Sequence, residues 1–324
     1  MNFRAFLFIL LGLFLTLAGW SQSQLPKIFG FDAGPVYFNT KSYFYDNGEE
    51  VVAFDAQLSP GLAQKSIEFI KSKTSNPITF LVILNPAVER FNGISAFRKI
   101  GAAVIASMKT TEAMQAEYDY QKEFFLNGGG RSVGFTKENW PALEKIDSMF
   151  EQSYSLELKN GQAVVLRDLS KAGPTANQTI AYIAEEEALF VGDLVQHYVH
   201  PNLKGVVTGD KYVPMLSGWT ENLNEMNKIF KKDPGVTVYG GRGKTVSLPT
   251  AVYDQTRYLK FAYPIITNFY LSNRSNWVGT NVPSKFYKEL QTEMEIAFPG
   301  YELGYLTRTG LWTCWGCVGA EKLE

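Results

Sequence analysis

Runs of apolar residues alternate with helical-period segments from the first third of the chain onward. Residues 36–38, 42–45 and 51–54 are rich in β-branched and aromatic side chains and predict strands. Asp46-Asn47-Gly48 separates the last two and predicts a tight hairpin, because Asn-Gly accepts positive φ cheaply. Ser59-Pro60 predicts a helix start, with Ser as N-cap and Pro in the first turn. The helix body, 63–73, places Ile67, Phe69 and Ile70 near one face. A strand over 78–84 follows, then a short loop, a helix over 94–100 and a strand over 102–106. That order of strands and helices belongs to an α/β layer.

Segments 110–125 and 138–152 read as helices on either side of Asn127-Gly128-Gly129-Gly130. The glycine run is either a plain connector or a lid beside a pocket. Short strands are predicted over 155–158, 163–166, 179–183 and 188–191. A helix over 219–232, capped by Ser217 or Thr220, ends at Asp233-Pro234-Gly235, and a strand over 236–239 runs into Gly240-Gly241-Arg242-Gly243. Beyond residue 250 the chain is rich in Tyr and Phe and carries a helical block over 284–297. This part is either two helices packed on the main domain or a small appended module.

The ends add two features. Arg4 precedes an apolar run over 5–19, which matches an export signal occupying residues 1–23 and predicts a secreted or periplasmic protein. An uncleaved anchor and a first core helix are the alternatives, and no later segment has the length and apolarity of a membrane span. Cys314 and Cys317 form a C-x-x-C pair. It reads first as a small disulfide near the C-terminus, with thiol exchange as the alternative. A net charge of −1 gives no electrostatic footprint for nucleic acid.

Five landmarks in order resemble the metallo-β-lactamase superfamily: the strand over 51–54 ending in Asp55; the loop Asn85-Pro86-Ala87-Val88-Glu89-Arg90; the turn Ala172-Gly173-Pro174-Thr175; the strand over 188–191 leading to Gly192-Asp193; and Gly240-Gly241-Arg242-Gly243. The resemblance covers about residues 36–250 and implies an α/β, four-layer αβ/βα sandwich over 24–250, with a C-terminal helical extension and C-x-x-C tail over 251–324. It also implies metal-ligand slots, and in these this chain departs from the pattern. The first motif reads Asn85, Ala87, Glu89 and Arg90; the second histidine slot is Pro174 and the last is Arg242. Asp193 alone keeps a ligand of the family's type. Zinc is therefore not expected, and no catalytic residue is assigned.

His197 and His200 are the chain's two histidines. They are expected as surface or loop-packing residues, with a rescued metal site or a pocket beside Asp193 and Glu89 as the alternative. Arg90 and Arg242 enter the same space as Glu89 and Asp193, and Arg–carboxylate forks there would replace the charge of metal ions. The alternative is that each Arg is a solvated loop residue. These residues imply an exported, non-catalytic relative that binds a small anionic ligand or a protein partner. The competing readings are an ester, lactone or β-lactam hydrolase with a remodelled site around Asp193, and a redox role through Cys314 and Cys317.

Overall fold

A computed structural model describes residues 27–129, 133–209, 211–213, 215–233, 235–273 and 284–308. The signal-like segment up to residue 26, Gly130 of the glycine run and the Cys314/Cys317 pair lie outside them.

The first sheet is ordered β1 (Lys27–Asp32), β2 (Lys41–Asp46), β3 (Val51–Phe54), β4 (Ile78–Ile83), β5 (Ala103–Ser107) and β6 (Ser148–Phe150). Its first three strands pair antiparallel and the rest parallel. Helices α1 (Pro60–Lys71), α2 (Val88–Phe91), α3 (Ile94–Lys99) and α4 (Met108–Phe124) form the crossovers. The second sheet contains β7 (Ser153–Glu157), β8 (Ala163–Asp168), β9 (Thr179–Ile183) and β10 (Ala188–His197). A ribbon of β11 (Val206–Thr208) and β12 (Lys211–Val213) and helix α5 (Leu216–Ile229) follow. β13 (Thr237–Gly243) then pairs parallel with β10, and β14 (Val246–Ser247) closes the edge. Helices α6 (Leu248–Asn273) and α7 (Ser284–Ala297) follow.

Strand alternation divides the apolar residues among three cores. Phe44, Val51, Ala53, Leu81 and Val104 face α1, α3 and α4, while Leu189, Val191 and Val238 face α5, α6 and α7. Their neighbours Tyr45, Val52, Phe54, Val82, Leu166, Ala181 and Phe190 fill the space between the sheets. The result is the four-layer αβ/βα sandwich. α6 belongs to the same core as the second sheet, since Tyr258, Leu259, Ala262 and Ile266 pack with Leu194 and Val195. Among the described residues, no helix is long and apolar enough to cross a membrane.

Local signals behave as their chemistry requires. Ser59 Oγ accepts from Leu62 N at 3.3 Å, and Asn47 Oδ1 accepts from the amides of Glu49 and Glu50. Three expectations are corrected. Residues 36–38 are not a strand: Pro35–Tyr37 is a 3-10 turn, and Phe38 and Asn39 are left-handed. Gly34-Pro35 turns the chain back on itself, so that Asn39 N donates to Gly34 O. Residues 138–152 are not a helix. Asp147 accepts from Val104 N and Arg98, and Ser148–Phe150 pairs with β5, so pairing with the sheet overrides the helical period. Helix α5 starts at Leu216 without a side-chain cap, not at Ser217 or Thr220.

The stacked pair Phe54–Phe190, with ring centroids 4.0 Å apart, joins the two sheets. Phe190→Ala is expected to cost about 3–5 kcal/mol, the usual range for emptying a buried aromatic site. Urea denaturation monitored by tryptophan fluorescence measures it.

Candidate functional site

The C-terminal ends of the parallel strands meet at one edge of the sandwich, where open α/β sheets place their sites. Asp55 follows β3, the Asn85–Arg90 loop follows β4, Asp193 lies on β10 and Arg242 on β13. The register between β10 and β13 slips twice: Gly192 faces Gly240, and Gln196 faces Arg242. Four steps on one strand thus span two on the other, a bulge that swings Asp193 inward. Backbone groups freed by the bulge find side chains instead. Trp219 Nε1 donates to Leu194 O at 2.8 Å, and Gln255 Oε1 accepts from Gln196 N at 2.9 Å.

Two glycines are required by close approach. A Cβ on Gly241 would overlap Arg90 Nη2 and press on the Gly192 carbonyl. Gly192 has φ +50°, and a Cβ there would lie 2.6 Å from Asn85 Nδ2. Asn85 itself is buried, its Oδ1 accepting from Ala87 N at 3.2 Å. Ala87 is buried beside it and ends the extended part of the loop before α2.

Seven charged side chains converge behind this edge, all buried. Arg90 is 0% exposed and Arg242 2% exposed, so neither is a solvated loop residue. Arg90 grips Asp193 with two nitrogens, Nε to Oδ2 at 3.2 Å and Nη2 to Oδ1 at 2.5 Å. It also donates to the carbonyls of Lys41 at 2.9 Å and Gly241 at 3.3 Å. Arg242 donates from Nη1 to Asp193 Oδ1 at 2.7 Å and from Nη2 to Glu89 Oε1 at 3.1 Å. Its Nε donates to Phe38 O at 3.0 Å, a carbonyl presented by the left-handed turn after Pro35. Lys204 bridges Glu89 at 3.3 Å and Glu117 of α4 at 3.1 Å. Asp55 stands 3.5 Å from Arg90 Nη1 and accepts from Leu84 N at 3.0 Å. Its φ of +65° is a strained conformation for a side-chain-bearing residue.

The three cations, Arg90, Arg242 and Lys204, face four carboxyls. Burial pushes the Asp55 carboxyl up to about 7, the pull of Arg90 notwithstanding. Asp193 is driven well below the usual carboxylate range: burial raises it, and Arg90 and Arg242 more than reverse that. Glu89 is lowered in the same way, its burial overcome by Lys204 and Arg242. With Asp55 protonated, three cations balance three carboxylates.

The structure brings together Glu89, Arg90, Asp193 and Arg242 of the sequence-predicted set. Pro174 sits in the buried turn between β8 and β9, which packs on α5 through Gly173 and Lys171. His197 and His200 are buried, not at the surface, and both face α6. His197 Nδ1 lies 3.3 Å from Asp254 Oδ2, and His200 Nδ1 lies 2.9 Å from the Tyr258 hydroxyl. Burial lowers the pKa of both imidazoles. Among the described residues, no three His, Cys, Asp or Glu side chains are grouped as metal ligands. Sequence reading missed Lys204 and Glu117, which carry no motif, and took Asp55 as a landmark without placing it in the cluster.

Removing one partner strands the others. Arg90→Ala or Arg242→Ala is expected to lose about 3–5 kcal/mol in urea denaturation, the usual penalty for an orphaned buried charge. The Arg90→Met/Asp193→Leu pair is expected to lose clearly less than the sum of its single changes, since residues of one network couple. Stability is also expected to depend on pH in two opposed windows. Asp55 holds its proton more tightly folded than unfolded, so its contribution is full at pH ~4 and is lost as pH rises through about 7. Asp193 and Glu89 bind protons less tightly folded, so their contribution is lost as pH falls below ~4. Urea midpoints across this range measure both windows, and Asp55→Asn is expected to flatten only the neutral-side decline.

No family model and no curated protein matches the chain. Solved structures do. A metallo-β-lactamase from Pontibacter korlensis superposes with a TM-score of 0.52 at 16% identity, over 73% of this chain and 99% of that one. TMB-1 gives 0.49 at 14% identity over 74% and 99%, and the mono-zinc form of the metallo-β-lactamase FIM-1 from Pseudomonas aeruginosa gives 0.49 at 14% over 69% and 84%. The Pontibacter likeness, together with the two-sheet, helix-flanked architecture, shows that this chain has the metallo-β-lactamase fold.

Proposed function

We propose that this chain is an exported, non-catalytic protein of the metallo-β-lactamase fold, in which an ion-pair cluster stands at the position of a metal centre and which works by binding a partner. One observation carries the reading: both oxygens of Asp193 are engaged by Arg90, and one of them also by Arg242.

The donor set does not fit a zinc ion. Zinc takes thiolate, neutral imidazole or carboxylate ligands. The slots implied by the resemblance hold an amide, two side chains without donor atoms, and two guanidiniums. Glu89 is held by Arg242 and Lys204, so the second carboxylate is committed as well. No hydrolytic step is therefore derived through a metal. The sequence carries one Gly-x-Ser-x-Gly string, Gly130-Arg131-Ser132-Val133-Gly134, but the element before it is helix α4 rather than a strand, so it lacks the strand–turn–helix setting of a nucleophile elbow.

The same geometry weighs against a small anion on the arginines. Each guanidinium already donates to carboxylate and to backbone carbonyl. A macromolecular partner is favoured over a ligand at this floor. The apolar run after Arg4 supports export.

Purified protein dialysed against zinc-containing and then zinc-free buffer is expected to retain far less than one equivalent by elemental analysis. It is also expected to leave nitrocefin and p-nitrophenyl acetate intact. Stoichiometric zinc surviving dialysis, or hydrolysis abolished by chelation and restored by zinc, overturns the reading.

A further inference from the structure

The outer helical layer carries a feature that the buried cluster does not explain. α5 and α6 run antiparallel, and a groove opens between them along their length. At one end a cavity of about 680 Å³ pairs Asn224 and Asn227 of α5 with residues 249–261 of α6. At the other end a cavity of about 360 Å³ pairs Leu216 and Thr220 with residues 259–264. Lys260 lines both, so the two adjoin end to end along α6 and form one trough with Lys260 at its middle. At 1.5 Å per residue the α6 wall is roughly 22 Å long, about four turns of helix.

The lining has a definite chemistry. Tyr253 is 67% exposed and Phe261 42% exposed, large rings left in water on one face of α6. Among the described residues, Arg257 and Lys260 are the charged ones that line the trough, and no acid lines either cavity. Neither makes a salt bridge among the described residues; the Arg257 guanidinium rests over the Phe298 ring at 5.3 Å and hydrogen-bonds the Tyr301 side chain, with the Asp254 carboxylate, which also faces His197, nearby. The acids of α5 point elsewhere: Glu221 pairs with Lys171, and Glu225 accepts from Ser170 N. Two polar groups in the trough lack their usual partners. Thr256 Oγ1 is buried without a hydrogen bond. Pro264 has no N–H, so the Lys260 carbonyl lacks its helical donor.

We propose that this trough is a docking site for an acidic amphipathic helix of a partner protein. An apolar stripe at helical spacing, open along about four turns, is the geometry of helix-in-groove recognition. Exposed aromatic rings supply the anchors. The paired cations select glutamate- or aspartate-bearing flanks over basic ones. The site lies on the outside of the second sheet, so it holds whether or not the buried cluster binds zinc.

The test uses the full chain and two fluorescein-labelled peptides of about 16 residues, matched to the trough length. Both carry Leu and Phe on one face; the flanks are Glu in one and Lys in the other. The acidic peptide is expected to bind saturably in fluorescence anisotropy and the basic one at least tenfold more weakly. Arg257→Glu/Lys260→Glu is expected to reverse that order, and Tyr253→Ala/Phe261→Ala to weaken the acidic peptide roughly tenfold, a hot-spot effect. All four side chains are solvent-accessible, and circular dichroism melts verify that the variants are folded. Absence of saturable binding, or equal binding of both peptides, overturns the proposal. So does a concentration-dependent dimer dissolved by Lys260→Glu, which assigns the trough to a second copy of the chain.

Discussion

Seven ionisable groups cannot be withdrawn from water between protein layers unless their charges neutralise one another almost completely. The desolvation cost of each is several kcal/mol, and only close, hydrogen-bonded counter-charges offset it. Everything at the strand-end edge serves that condition. The bulge in β10 delivers Asp193, the turn after Pro35 delivers a carbonyl to Arg242, and Lys204 links the loop after β10 to α4. The glycines at 192 and 241 let backbone and guanidinium approach. Asp55 closes the balance, because burial keeps it protonated into the neutral range. The cluster thereby ties both sheets and one outer helix into a single unit.

Much of this fold was legible in the sequence where local chemistry and tertiary demand agree. The Asn-Gly hairpin, the Ser-Pro helix start and the alternating strands over 51–54 and 179–183 formed as their residues dictate. Misreadings arose where distant partners decide. Ser148–Phe150 is a strand because β5 offers an open edge, and no local pattern reports that edge. Residues 36–38 look like β-formers but follow Gly34-Pro35, and the turn wins. In the site, Asp193, Glu89, Arg90 and Arg242 were found through an ordered series of loops. Lys204 and Glu117 were not, since a lysine in a loop and a glutamate on a polar helix look like solvated residues until the chain folds them together. The two histidines are packed rather than at the surface for a related reason: their burial comes from α6, more than fifty residues away.

The outer layers differ in the same way. α1, α3 and α4 cover the first sheet with an apolar face, as their spacing implies. α5 and α6 do this for the second sheet and still leave aromatic and cationic residues along their outer seam. Covering the sheet does not require Tyr253 or Phe261 to point outward, so their placement is separate from the demands of folding.

The doubly gripped Asp193 also constrains how such a sequence can change. Arg90 and Arg242 each depend on Asp193, and Asp193 depends on both. A single change of either arginine to an uncharged residue leaves a buried carboxylate short of a counter-charge, with no neighbouring cation free to take its place among the described residues of the cluster. Each one-step change within the cluster therefore crosses a poorly folded intermediate. The ion-pair cluster acts as a ratchet in sequence space: it keeps the fold intact while allowing its members to change together but hardly one at a time.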